Sequence, residues 1–164
     1  MRIVFKVLRV ATAAAFAMCA VGANGQENSF YFSCQSVGSS PPEPIGDREG
    51  HSISSGEVSC RGEGGPLVGG VMTGVTTYEW DKSNGVLLSG SGIIRKPGAT
   101  TAYRITEGKI ALVMTDGKVI GTTAAGKGVY TLATGSAASL AGKSFTYSTR
   151  PTAPGQFAID VKVE

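Results

Sequence analysis

Turn-forming dipeptides punctuate this chain at nearly regular intervals, and that spacing constrains its fold more than any other feature. Asn84-Gly85 and Asp116-Gly117 are hairpin signals, because a two-residue type I′ turn needs positive φ at both positions. Pro97-Gly98 and Pro154-Gly155 suit type II turns, proline fixing φ and the following glycine supplying the positive one. Glu107-Gly108, Gly126-Lys127-Gly128 and Ala141-Gly142 are further turn candidates.

The segments between these turns alternate with a period of two, as a strand with one buried face requires. In the last of them Phe157, Ile159, Val161 and Val163 share one face, while Ala158, Asp160, Lys162 and Glu164 share the other. Phe145 and Tyr147 fall together, as do Tyr103 and Ile105, and Tyr78 and Trp80 lie opposite Glu79 and Asp81. Helical periodicity is almost absent. The turns and alternation predict strands at 29–36, 51–61, 67–81, 86–95, 100–106, 109–115, 118–125, 128–133, 143–149 and 156–163. Links of hairpin length make them antiparallel neighbours in up-and-down order. The expected fold is all-β: an antiparallel up-and-down barrel of about eight to ten strands, with a β-sandwich as the alternative. Gly69, Gly70, Gly74, Gly90, Gly92 and Gly121, within the strands, suit the coiling that a small barrel needs. Residues 37–50 contain Pro41-Pro42-Glu43-Pro44 and are expected to form an extended surface loop without a ladder. Residues 136–141 suit one helical turn, with Ser136 as its cap.

The amino terminus reads as a secretory signal peptide over residues 1–23. Arg2, Lys6 and Arg9 form its basic start, Val10 to Ala23 is uncharged, and Val21-Gly22-Ala23 is a small-residue cleavage site. The apolar run is too short for a membrane anchor, and Cys19 lacks the preceding Leu and small residue of a lipoprotein signal. The mature chain is then a single domain over 24–164, expected in the periplasm or the medium. No later segment is long and apolar enough to hold it in a bilayer. The leader also carries the whole charge imbalance: the full chain has 15 Lys+Arg and 12 Asp+Glu, and 24–164 has 12 of each. Without a basic excess, nucleic acid is not an expected partner. Cys34 and Cys60 remain, and in an oxidising compartment they most simply form one disulfide. Two thiols and one histidine fall short of a tetrahedral metal site, so no metal is expected.

Few residues point to chemistry. Ala137-x4-Gly142-Lys143-Ser144 formally fits a permissive phosphate-loop pattern, but the strand-like Phe145-Thr146-Tyr147 follows where a helix is needed, so no cofactor is expected. His51 is the only histidine and sits in the polar stretch Gly46-Asp47-Arg48-Glu49-Gly50-His51-Ser52. Beside Asp47 or Glu49 it is a candidate general base. Ser52 points away from it on a strand, and no Gly-x-Ser-x-Gly elbow is present. Glu79 and Asp81 share a face as paired carboxylates do in glycoside hydrolysis, though an exposed exterior pair is the commoner arrangement. Tyr78, Trp80, Tyr103 and Phe145 are the candidate ligand-binding residues, because inward aromatics line apolar pockets. Arg48, Arg61, Arg95, Arg104 and Arg150 are expected in solvent.

Gly126-Lys127-Gly128-Val129-Tyr130, Ala133-Thr134-Gly135 and Leu140-Ala141-Gly142-Lys143 resemble the late hairpins of the allene oxide cyclase and dirigent barrels. Those are calycin-like barrels, some enzymatic and others guiding the coupling of bound radicals. Gly135-Ser136-Ala137-Ala138 departs from the glycine-rich turn usual in dirigents, and no catalytic residue carries over. The resemblance therefore implies the barrel and not an activity. The leader is similar to those of exported bacterial proteins. Three functions follow as expectations: a binding module for a small, partly apolar molecule; a structural or protein-interaction domain with a filled core; and a cyclase- or hydrolase-like enzyme using His51. The oligomeric state has no signal in the sequence.

Overall fold

A computed structural model describes residues 28–39 and 41–164; the leader, the proposed cleavage site and Cys19 lie outside them. The described chain forms β1 (Ser29–Ser39), β2 (Glu43–Pro44), β3 (His51–Gly62), β4 (Val71–Asp81), β5 (Asn84–Lys96), β6 (Ala99–Thr115), β7 (Lys118–Ala133), β8 (Ser144–Ala153) and β9 (Gln156–Val163). Two short 3-10 turns, Gly65–Leu67 and Gly135–Leu140, interrupt the strands. Apart from the two-residue β2, each strand is antiparallel to its neighbours in chain order from β3 to β9. β1 pairs with β9 on one side and with β3 on the other, which shuts the sheet into an eight-stranded closed barrel. That seam settles the barrel over the sandwich, although β7 is laddered to β8 only over Ala125–Val129.

Cys34 and Cys60 face each other directly across the seam and are disulfide-bonded, with Cα atoms 4.0 Å apart. Both cysteines are buried and join the core. The bond thus fixes a strand pair that no tight hairpin supplies, because residues 40–50 lie between β1 and β3.

The barrel interior is apolar, while its outer face mixes polar side chains with exposed apolar ones such as Val71, Val75, Val86 and Leu88. One end is plugged. Leu67, Ala137 and Leu140 from the two 3-10 turns are buried against Phe30, Tyr130 and Val163. The other end carries the connections after β1, β4, β6 and β8.

Several sequence expectations are corrected in detail. Residues 100–106 and 109–115 are one strand, β6, and residues 118–125 and 128–133 are one strand, β7. Glu107-Gly108 and Gly126-Lys127-Gly128 are not turns: Glu107 pairs with Lys127 and Gly108 with Gly126, across the ladder between these strands. These glycines lie beneath aromatic rings. A Cβ on Gly128 would stand 2.8 Å from Phe145 Cε1, and one on Gly126 would stand 2.9 Å from Tyr147 Cε1. The tyrosine hydroxyl of residue 103 similarly lies over Gly92. Large rings fit inside a narrow barrel because their cross-strand partners on the adjacent strands are glycines, which carry no side chain there.

Asn84 and Gly85 belong to β5, and the turn before them is Lys82-Ser83, with Lys82 at φ 57°. Asp116 (φ 51°) and Gly117 (φ 74°) form the expected hairpin turn. Residues 67–70 precede β4, so Gly69 and Gly70 are outside the strands. The proline stretch does hold a short ladder: Glu43 pairs with Ile53 and Pro44 with Ser52, on the stretch of β3 that β1 does not cover. Proline is tolerated there because β2 is an edge. Thr134, not Ser136, occupies the cap position of the second 3-10 turn, without a side-chain cap bond.

Candidate functional site

Inside the barrel is a cavity of about 300 Å³, open at the end opposite the plug. Phe32, Met72, Ile94, Tyr130 and Phe145 form its deeper wall, and Ser36, Pro42, Ser54, Thr122 and Thr149 lie toward the mouth. Tyr78, Trp80, Tyr103 and Phe145, the four aromatic candidates of the sequence, all line it. Tyr78 and Trp80 alternate on β4 and lie with ring centroids 6.2 Å apart, and the Trp80 indole N–H donates to Ser54 Oγ at 2.8 Å. Phe145 packs edge-on to Tyr103 at 6.3 Å and tilted on Tyr130 at 4.8 Å. Such offset aromatic contacts fix the orientation of the rings beyond what burial alone does.

Sequence reasoning missed two tyrosines of this wall, Tyr130 and Tyr147. Tyr147 alternates with Phe145 and was legible as inward; Tyr130 was hidden because its segment read as the start of a strand after a turn. Burial pushes the Tyr103 phenol up to about 12 and raises those of Tyr78, Tyr130 and Tyr147 above their ordinary value. All four are neutral at ordinary pH, since a phenolate in an apolar interior would lose its hydration. The Tyr147 hydroxyl is buried close to Gly108 and beside the Tyr78 phenol.

His51 lies elsewhere. It begins β3 beside Asp81 and faces outward, covered by the chain before it, and is only 8% exposed. Its Nδ1 is in hydrogen-bonding contact with Asp47 Oδ1 and its Nε2 with Glu79 Oε1 at 2.8 Å, so that the protonated ring donates to both carboxylates. Arg48 donates from Nη1 to Asp47 at 2.9 Å and from Nη2 to Asp81 at 3.4 Å. Of the catalytic trio suggested by the sequence, the fold joins His51 with Asp47; the second carboxylate at the ring is Glu79 from β4, in the place offered to Glu49. Chain proximity brought Glu49 to notice, whereas Glu79 arrives through the β3–β4 ladder. Both ring nitrogens are engaged by carboxylates, and His51 does not line the cavity. The arrangement fastens the 41–50 connection to the barrel wall.

Its hydrogen bonds to Asp47 and then to Glu79 raise the His51 pKa above 6.5, while the bond to His51 lowers that of Asp47 below 3.8. The histidine contribution to stability is therefore fully present below 6.5 and is lost as pH rises through the folded value. The Asp47 contribution is present above 3.8 and is lost as pH falls through its lowered folded value. We expect the His51 ring resonances to titrate above 6.5 by proton NMR and Glu79→Gln to move that titration downward. An unshifted titration would show that the two carboxylates do not hold the ring.

The remaining candidates are peripheral. Arg104 is exposed on β6, between the inward Tyr103 and Ile105. Arg150 pairs with Asp160 on the outside. Gly142-Lys143-Ser144 leads into β8 and not into a helix, so the phosphate-loop pattern has no loop geometry behind it. Among the described residues no cluster of three or more His, Cys, Asp or Glu is placed to hold a metal ion.

No protein-family model, curated protein or solved structure matches this chain. The structure shows a closed eight-stranded antiparallel barrel and identifies no family for it.

Proposed function

We propose that this chain is an exported binding protein that holds a small, partly apolar ligand inside its barrel. The observation that carries this reading is the cavity of about 300 Å³, walled by Tyr78, Trp80, Tyr103 and Phe145 and open at one end. Ligand pockets begin near this size, about 300 Å³, and are lined mainly by aromatic and aliphatic groups with a few polar ones. A domain with a filled core would close the same space, as eight-stranded barrels readily do. Export through cleavage after Ala23 accords with the disulfide, which persists in an oxidising compartment.

Trp80 is the only tryptophan of the chain and lies in the cavity wall, so it reports on occupancy directly. Titration with the neutral fluorophore N-phenyl-1-naphthylamine is expected to quench Trp80 emission while probe emission rises, with saturation in the micromolar range. Replacing Ile105, also in the wall, with Trp is expected to abolish the probe signal by filling the space. Emission of both fluorophores unchanged across the titration would refute the binding reading.

A further inference from the structure

The cavity wall has a chemical bias that narrows the ligand class, and this inference rests on the binding reading above. Among the described residues its lining includes one charged side chain, Glu57, which is exposed at the rim. Arg48, Glu79, Asp81 and Lys109 line a shallower depression of about 870 Å³ that adjoins the cavity through Trp80, Ile110, Ala124 and Thr149, and none of the four lines the cavity itself. No lysine, arginine or histidine lines the cavity, so an anion taken inside would lose its hydration without meeting a counter-charge.

The interior instead offers phenol hydroxyls. Tyr103 is half-buried on β6, with its hydroxyl lying along the adjacent wall over Gly92 of β5 and Gly74 of β4, where a side chain would otherwise stand. Tyr130 lies on the neighbouring strand as the cross-strand partner of Tyr103, and both rings contact Phe145. A neutral phenol donates one hydrogen bond and suits a carbonyl or ether oxygen. The hydroxyls of Ser36, Thr76, Thr122 and Thr149 lie higher in the wall, but Ser54 and Thr149 already accept hydrogen bonds from Trp80 and from the Ala124 N–H.

We propose that the ligand is an uncharged, largely apolar molecule carrying a hydrogen-bond acceptor, held through that acceptor by the Tyr103 hydroxyl with Tyr130 beside it, and that carboxylate-bearing molecules of the same shape are excluded. The site selects against charge by having nothing inside to balance it, and selects among neutral molecules by the phenol donor.

Three probes of one shape separate the possibilities: 2-acetylnaphthalene, 2-isopropylnaphthalene and 2-naphthoate, measured by equilibrium dialysis at pH 7.5 against the chain with its disulfide intact. The ketone is expected to bind about 100-fold or more tightly than the carboxylate. Tyr103→Phe is expected to lower the ratio of ketone to hydrocarbon affinity by about tenfold, leaving the hydrocarbon nearly unchanged. Tyr130→Phe supplies a second variant with a smaller change in the same direction. Naphthoate binding as tightly as the ketone, or a ketone-to-hydrocarbon ratio unmoved in both variants, overturns this inference and leaves the binding reading standing. Binding of none of the three overturns the binding reading together with it.

Discussion

Gly128→Ala is expected to destabilise the barrel by about 3 kcal/mol, more than a methyl group on a strand ordinarily costs. The new Cβ would lie 2.7 Å from the Arg104 carbonyl oxygen and 2.8 Å from Phe145 Cε1. The first is backbone of the neighbouring strand and cannot swing aside. The second belongs to a buried ring already in contact with Tyr103 and Tyr130, so its displacement would unsettle the cavity wall. Relief requires the β6–β7 or β7–β8 ladder to part, and the latter spans only Ala125 to Val129 on β7. For a domain of this size that loss lowers the melting temperature by roughly 6–12 °C. Gly64→Ala is the control: Gly64 has φ −160°, and nothing lies within 4 Å of its added Cβ. That variant is expected to melt within about 2 °C of the parent. Equal melting of the two variants would mean that the ring does not lie on Gly128.

Removal of the disulfide is expected to have a similar effect through a different route. The bond joins residues 26 apart, and in a chain-entropy treatment restraining such a loop in the unfolded state stabilises the fold by roughly 3–4 kcal/mol. Small domains are commonly stable by only about 5–15 kcal/mol, so this is a substantial fraction. The position adds to the argument. Cys34 and Cys60 are directly opposed on the seam between β1 and β3, the pairing on which closure depends. The double variant Cys34→Ala/Cys60→Ala should shift the urea midpoint down with little change of slope, and reductant should do the same to the parent. Purified, unreduced protein spanning residues 24–164 should titrate as free of thiols. A midpoint indifferent to both treatments would show that the seam closes without its covalent link.

Much of this architecture is legible locally. The alternation of Phe157, Ile159, Val161 and Val163, and the turns at Asp116-Gly117, Pro97-Gly98 and Pro154-Gly155, define strands and hairpins from neighbouring residues alone. The inward direction of Tyr78, Trp80, Tyr103 and Phe145 follows from the same alternation. The errors occur where one local signal has two meanings. Glycine beside a polar residue reads as a turn, yet at Gly108, Gly126 and Gly128 it marks an inner wall where an aromatic ring needs room. Only the ring from another strand distinguishes the two uses. Likewise Asp47 is close to His51 in sequence, whereas Glu79 is 28 residues away and reaches it through strand pairing.

By itself the amino-acid sequence determined the all-β character, the antiparallel order, the single disulfide and the aromatic inner face. Each of these depends on period, turn chemistry or cysteine number, which are properties of short segments. The tertiary structure alone decided that β1 meets β3 to close the barrel, that His51 is fastened from both sides on the outer wall, and that the interior keeps a cavity lined by neutral tyrosines. Those depend on which distant side chains share a volume and how completely they fill it, a sum over the whole barrel that no single segment contains.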